Sequence, residues 1–160
     1  MLLSLMGTLV SIQAAKLIRA YRFDQEVGQF FTALQEAQAL AVTYATDHTL
    51  DIAYEQGAFY YQISTDEPFS SHILNQKKIP LKGVRQILFN GRKQKKLHFD
   101  IIPSGSVEPR GILLLRAEED TQKRFLDLQG GVLIKCSASV PARQNQKIPE
   151  KPRSKGSPKP

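Results

Sequence analysis

Residues 21–48, YRFDQEVGQFFTALQEAQALAVTYATDH, decide the fold. This stretch contains no proline and a single glycine, and its apolar residues recur at steps of three and four, the spacing of one face of an α-helix. Polar residues, Gln38 among them, are expected on the opposite side. We expect the apolar face to cover the rest of the chain through Phe23, Val27, Phe30, Phe31, Leu34, Ala41 and Tyr44.

An apolar segment precedes this stretch. No charged residue occurs in 1–15, and the first bases, Lys16, Arg19 and Arg22, follow it. A membrane span needs about 20 apolar residues, so the segment is short for a full span. A secretory signal peptide has its bases before the apolar part, which is the reverse order. We interpret 1–20 as a membrane or stalk helix whose contact residues are Leu2, Leu3, Leu5, Leu9, Val10, Ile12, Leu17 and Ile18.

The two helical segments, 1–20 and 21–48, are expected to form one helix. A continuous helix over 2–46 would be about 65–70 Å long at about 1.5 Å per residue. A small domain needs no rod of that length. We therefore expect the front end to be buried in lipid, in a bundle of partner helices, or in both.

Beyond residue 49 the hydrophobic period changes from helical to two, which is typical of strands. Seven strands are predicted, at 50–54, 59–63, 84–89, 97–102, 112–116, 124–128 and 132–136, and 65–80 is predicted to be a loop. Asn90-Gly91 is expected to start the turn from the third strand to the fourth. The connections are too short for crossovers, so the sheet should be antiparallel. The predicted class is α+β, with a long helix packed on a small β-domain, 49–136.

Most of the formal net charge of +7 lies in the last segment, 137–160. This segment contains six bases, one acid and five of the nine prolines, and we predict that it is disordered. Its bases include Arg143, Lys147, Lys151, Arg153 and Lys155.

A second basic group, Arg92, Lys93, Lys95 and Lys96, lies between two predicted strands. These bases fit a solvated turn that blunts a sheet edge, and the tail fits a solubilising extension. The alternative is that both bind polyanions, DNA or anionic lipid, through counterion release.

No catalytic site is expected from the residues. Ser70 and Ser71 adjoin His72, but neighbouring loop residues rarely have the geometry of a nucleophile and its base. His98 and Asp100 share one face of a predicted strand and are interpreted as a surface polar pair. The sequence therefore predicts a protein that is not an enzyme.

No metal or cofactor site is predicted either. The single cysteine, Cys136, excludes an internal disulfide, and it is expected to be a buried thiol. The acidic run 118–120 could bind Ca²⁺, but an acidic loop explains it equally well.

Taken together, these features resemble the type IV pilin-like proteins, and in detail the H-type minor pseudopilins of the type II general secretion pathway. The resemblance covers about 1–136 and rests on five degenerate motifs. These are ALQEAQALAVTYATDHTLDI at 33–52, YYQI at 60–63, LHFDIIPSG at 97–105, GILLL at 111–115 and LQGGV at 128–132.

The resemblance implies a pilin-like fold and a structural role without a cofactor. The helix would cross the inner membrane once, with the β-domain in the periplasm, and would then pack against other pseudopilins in a hetero-oligomeric pseudopilus that helps export folded proteins. Membrane lipid and secreted substrates are further implied partners. The alternative is a minor type IV pilin that binds DNA for uptake through the basic tail and loop.

The sequence departs from the family at its beginning. The family has a short basic leader, a Gly-Phe cleavage point and a glutamate soon after it, whereas the first acid here is Asp24. Met1 aligns inside the mature apolar helix. We expect that the start codon was assigned too late; the alternative is a diverged protein that prepilin peptidase does not process.

Overall fold

The computed structural model describes residues 2–74, 76–117, 122–129 and 134–139, with 2–12, 69, 70 and 72 described by their backbone alone. In chain order the elements are α1 (Leu2–Tyr44), β1 (His48–Glu55), β2 (Ala58–Ser64), α2 (Pro68–Ile73), β3 (Ile79–Leu81), β4 (Gln86–Phe89), β5 (Arg92–Lys93), β6 (Lys96–Ile101), β7 (Val107–Glu108), β8 (Ile112–Arg116), β9 (Lys123–Asp127) and β10 (Lys135–Ser137). The chain is an α+β protein in which α1 packs on two antiparallel sheets.

Helix α1 is continuous over 43 residues, as the pattern of 2–46 predicts. It ends where Ala45 takes a left-handed backbone conformation, with φ of 52°. The N–H of Thr46 then donates a hydrogen bond of 3.1 Å to the carbonyl of Ala41. This six-to-one bond belongs to a Schellman C-cap, in which glycine usually occupies the place that Ala45 takes here.

The core face of α1 is the predicted one. Its fully buried residues are Phe23, Val27, Phe30, Leu34, Ala37 and Ala41. Phe31 is half-buried and packs against the same core. The prediction for Tyr44 is wrong, because this side chain is 41% exposed. Tyr44 is the last residue of the helix, and the chain turns towards β1 beyond it, so Ala41 is the last core contact.

The prediction for Gln38 is also wrong. This side chain was placed on the polar side of the helix, yet it is only 3% exposed. Its Nε2 donates a 2.6 Å hydrogen bond to the carbonyl of Gly105, in the turn between β6 and β7. A buried amide is tolerated only where it is hydrogen-bonded. Helical periodicity cannot show an acceptor that is 67 residues away in the chain.

The first sheet has the strand order β3-β2-β1-β6-β7. Strands β1 and β2 form the predicted hairpin over Gln56-Gly57, whose φ values of 49° and 85° are those of a type I′ turn. Side chains on the inner face of this sheet contact α1. Among them are Leu50, Ile52, Tyr61, Ile63 and Phe99.

The second sheet has the order β10-β9-β8-β4-β5. Asn90-Gly91, with φ of 50° and 78°, forms a second type I′ turn, but the strand that returns from it is the two-residue β5. The prediction that this turn joins β4 to the strand at 97–102 is therefore wrong. The N–H of Gln94 still donates a hydrogen bond to the carbonyl of Ile87 in the second sheet. At the next residue the chain changes sheet: the carbonyl of Lys95 accepts a 2.8 Å hydrogen bond from the N–H of Tyr54, and β6 pairs with β1.

Three strands and one helix were not predicted. The strands β3, β5 and β7 contain two or three residues each, too few to show a period of two. Helix α2 and β3 both lie within the predicted loop 65–80. The hairpin of β9 and β10 is present, but its turn at 130–133 and the tail from 140 lie outside the described residues.

Both sheets share one core with the helix. The second sheet contributes Ile87, Leu113, Leu115 and Leu126 to the same cluster of buried residues. An ion pair of 2.7 Å between Asp24 of α1 and Arg124 of β9 joins the helix to this sheet.

Phe30 is the side chain of α1 whose loss is expected to cost the most. It is fully buried, and its ring meets that of Tyr61 edge to face at 4.9 Å. Phe30→Ala should lower the free energy of unfolding by about 3–5 kcal/mol, because it leaves a cavity between helix and sheet. The neighbouring Phe31→Ala, which removes a half-buried ring, should cost roughly 1–2 kcal/mol. Urea denaturation of the full chain measures both, and equal losses would contradict this placement of the core face.

Candidate functional site

The N-terminal part of α1 extends beyond the β-domain. Residues 13–19 are exposed, and Phe23 is the first buried side chain from residue 13 onwards. Three large apolar side chains lie in this projecting segment, with exposed fractions of 72% for Leu17, 60% for Ile18 and 71% for Tyr21. We call these three residues the apolar stripe.

Ile18 and Tyr21 of the apolar stripe point away from the domain, and Leu17 lies at the side of the helix, between them and the groove described below. Residues three, four and seven apart share a helix face, so the core face that begins at Phe23 continues backwards through Arg19 and Lys16. Leu17, Ile18 and Tyr21 precede Phe23 by six, five and two residues, so they lie off this core face. The helix therefore buries one side in its own domain and exposes an apolar surface on the other.

The predicted contact residues of the stalk divide into two groups. Leu17 and Ile18 are exposed. Side chains that contact lipid or another helix must be exposed in the isolated chain. The side chains of Leu2, Leu3, Leu5, Leu9, Val10 and Ile12 lie outside the description. Within the residues that the structure describes, no helix has the combination of length and apolar character that crossing a membrane requires.

A groove of about 630 Å³ lies where the projecting helix leaves the domain. Five basic residues line it: Lys16, Arg19 and Arg22 from α1, and Lys82 and Arg85 from the connection between β3 and β4. Leu17, Ala117 and Gln122 are among the remaining lining residues. We call this site the basic groove.

The basic groove exists because one loop approaches the helix closely. A Cβ atom on Gly83 would lie 3.0 Å from the Cα of Phe23, so only glycine fits there without displacing backbone. The N–H of Gly83 also donates a 2.7 Å hydrogen bond to Oε2 of Glu26. These contacts hold Lys82 beside the bases of α1. The sequence shows the bases after the apolar segment but gives no sign that Lys82 and Arg85 join them.

The outer face of the first sheet contains a cluster around His98. Its Nδ1 lies 2.8 Å from Oδ1 of Asp51 on β1, and its Nε2 lies 3.2 Å from Oδ1 of Asp100 on β6. The predicted surface pair of His98 and Asp100 is confirmed, and register with β1 adds Asp51. The hydrogen bond with Asp51, helped by the charges of both carboxylates, raises the pKa of His98 above its ordinary value. The imidazole is 54% exposed, so this is a solvated cluster on an open strand face.

The basic group at 92–96 is exposed and lies where the chain passes from one sheet to the other. Arg92 and Lys93 form β5, the edge strand of the second sheet, whereas Lys96 begins β6 in the first sheet and Lys95 precedes it. This arrangement agrees with the prediction that the bases blunt an edge. The tail bases Arg143, Lys147, Lys151, Arg153 and Lys155 lie outside the described residues.

The remaining candidate chemistry divides in the same way. Ser71 lies in α2 and donates a 2.7 Å hydrogen bond from Oγ to the carbonyl of Pro68, while the side chains of Ser70 and His72 lie outside the description. In the described ranges, no group of three His, Cys, Asp or Glu side chains could hold a metal ion. The acidic run 118–120 lies outside those ranges.

The prediction of a buried thiol at Cys136 is wrong, because the residue is exposed. It lies opposite Leu126 on the core side of β10, but β10 is the edge strand of its sheet. An edge position leaves one flank of the side chain without a neighbouring strand. Partial desolvation of the sulfur nevertheless raises the pKa of the Cys136 thiol.

No protein-family model, curated protein or solved structure matches the chain. Three surfaces of the described residues are therefore the candidates for a functional contact. These are the apolar stripe, the basic groove and the exposed basic hairpin at 92–96.

The raised pKa of His98 predicts a pH dependence of stability. Because the folded-state pKa lies above the ordinary value of 6.5, the stabilisation is complete below about pH 6.5 and is lost as the pH rises through the folded pKa. The effect should be small, since the cluster is solvated. Thermal unfolding of the full chain between about pH 6 and 8 should show a midpoint that falls more for the wild type than for Asp51→Asn. Asp66→Asn, an exposed acid outside the cluster, should keep the wild-type slope, and an unchanged slope in Asp51→Asn would contradict the assignment.

Proposed function

We propose that this protein is a structural minor pseudopilin of a type II secretion system, which assembles through its N-terminal helix into a periplasmic pseudopilus and helps export folded proteins. The observation that supports the proposal most directly is the projecting helix with an apolar stripe that its own domain does not cover. The motif resemblance over about 1–136 points to the same class of protein.

The apolar stripe needs a partner. Burying one large apolar side chain contributes about 1.5–3 kcal/mol, so three such side chains favour association strongly. Leu17 and Tyr21 are four residues apart and form a ridge along the helix. Such a ridge fits the groove of another helix. The partners are therefore the apolar helices of other pseudopilins, in a hetero-oligomeric fibre.

Before assembly, we place the front of α1 in the inner membrane, in a single pass, with the β-domain in the periplasm. The uncharged residues 2–15 form about 21 Å of helix, less than the hydrocarbon thickness of about 30 Å. Helices of neighbouring subunits would complete the apolar surroundings. The absence of charge over the whole segment supports the placement, because a charge at the bilayer centre costs several kcal/mol.

We propose a structural role, without catalysis or a cofactor. The cluster that most resembles a catalytic group, Asp51–His98–Asp100, is about half exposed on a strand face, where water screens each charge. A proton-transfer site works best where water is excluded. The β-domain would instead contact neighbouring subunits and secreted substrates.

Assembly should fail when the apolar stripe becomes charged. Leu17→Asp/Ile18→Asp should weaken helix association by more than about a hundredfold, because it removes the burial of two large side chains and adds two charges. In the cells that make this protein, export of folded periplasmic proteins should fall to the level of a deletion strain. Crosslinks from Tyr21, replaced by a photoreactive residue, to other pseudopilins should disappear with it.

The matched control is Thr32→Asp, which adds a charge to an exposed position about four turns further along the same helix. It should leave export and crosslinking at the wild-type level. Unchanged export in a clean deletion, or normal crosslinking in the stripe variant, would contradict the proposed function.

The exposed basic hairpin supports a second candidate, a minor type IV pilin that binds DNA for uptake. Four exposed bases within 92–96, two of them on an edge strand, could neutralise several phosphates without reading bases. This candidate also uses the stalk helix for assembly, so the two functions differ only in what the β-domain contacts.

DNA binding by the full chain should then depend on salt. Lys93→Gln/Lys95→Gln should reduce the magnitude of the slope of log affinity against log salt by about 2, one for each phosphate contact. Fluorescence anisotropy with random-sequence duplex DNA measures the slope. Arg22→Gln/Lys82→Gln removes the same charge from the basic groove and should leave the slope unchanged. Equal slopes in all three proteins would rule out the hairpin as a DNA site.

A further inference from the structure

The basic groove combines charges from two parts of the chain. Lys16, Arg19 and Arg22 come from the projecting helix, and Lys82 comes from a loop of the domain. No acidic side chain lines the groove in the described part of the chain. All charged residues among the described lining residues are therefore positive, and a concave surface of this kind focuses the electrostatic potential on an anion. The acidic run 118–120, between the lining residues Ala117 and Gln122, lies outside the described residues.

Four of the five bases of the groove have no acidic partner among the described residues. The nearest acids on α1 have other partners, since Asp24 pairs with Arg124 at 2.7 Å and Glu26 accepts the N–H of Gly83. Among the described residues, Lys16, Arg19, Arg22 and Lys82 form no ion pair. Arg85 has a further interaction of its own.

The place of the groove along the helix is informative. It begins at Gln13, near the end of the uncharged segment, and it reaches the domain at Lys82 and Gly83, just after β3. Residues 16–22 extend about 10 Å along the helix axis. The headgroup layer on each side of a bilayer is about 5–7 Å thick. With the uncharged segment in lipid, the groove therefore begins at the depth of the headgroups and extends a few Å beyond them.

We propose that the basic groove binds the phosphate group of an anionic phospholipid. Arginine donates two parallel hydrogen bonds to a phosphate, and lysine adds a compact charge, so the residue types fit this ligand. Leu17 lies at the rim, where an acyl chain can continue along the helix. The inference rests on the proposed placement of residues 2–15 in a membrane, and it adds a lipid specificity that the assembly role does not require.

Vesicle flotation with the full chain tests the proposal. We expect stronger binding to vesicles that contain phosphatidylglycerol than to vesicles of phosphatidylcholine alone. Each base near an anionic surface contributes about fivefold in binding, so Arg22→Gln/Lys82→Gln should lose about 25-fold on the anionic vesicles and little on the neutral ones. Both positions are exposed, and unchanged thermal unfolding would show that the variant folds.

The matched control is Lys93→Gln/Lys95→Gln, which removes the same charge from the hairpin and should change binding less than about twofold. Equal losses in the two variants would assign the binding to general charge attraction and overturn the groove. Equal binding of the wild type to both kinds of vesicle would overturn the lipid preference. Displacement by inorganic phosphate, but not by chloride at the same ionic strength, would assign the groove to a free anion and overturn the lipid site.

The inference and the proposed function can fail separately. A chain that floats with neither kind of vesicle would contradict the membrane placement, and the inference with it. Assembly is measured independently, by export and by crosslinking from Tyr21. Loss of lipid preference with normal export would therefore overturn the inference alone.

Discussion

The packing of one helix face against both sheets is the interaction on which the rest of the structure depends. The chain alternates between the sheets, since β1–β3 and β6–β7 form one and β4–β5 and β8–β10 form the other. A sheet must bury its apolar face against another layer, and residues from both sheets enter a single cluster with Phe23, Phe30 and Leu34. The loss of one buried ring from α1 therefore weakens both sheets, at a cost that is large beside the 5–15 kcal/mol that stabilises a typical domain.

The same helix has two parts, one that packs in the domain core and one that projects from the domain. From Phe23 to Ala41 its core face is apolar and is buried by the domain. Four and seven residues before Phe23, that face is occupied by Arg19 and Lys16, which a protein core excludes unless they are paired. The domain must therefore end at this level. The apolar stripe lies off this face, so the helix can contact a partner without any change in its own domain.

Much of the fold could be predicted from the sequence, because long elements show their period. The 43-residue helix, its buried face and the strands of five or more residues are examples. The predictions fail where a contact with a distant part of the chain determines the burial of a side chain or the sheet that a strand joins. Gln38 is buried because Gly105 supplies an acceptor, and β6, the strand after β5, joins the first sheet because it pairs with β1. The basic groove is not predicted for the same reason, since the close approach of Gly83 to Phe23 places Lys82 beside the helix.

The two surfaces of the projecting helix impose different conditions on whatever surrounds it. The apolar stripe is stabilised by leaving water, whereas Lys16, Arg19 and Arg22 must keep water or gain anions. A uniform apolar environment satisfies only the first condition, and bulk water only the second. A boundary between the two satisfies both when the helix stands across it, with residues 2–15 on the apolar side and the groove at the polar edge. Along α1 an uncharged segment comes first, a mixed segment follows, and the domain core begins after that. This order favours a boundary between an apolar medium and water at residues 16–22 over an arrangement in which the whole stalk lies in one medium.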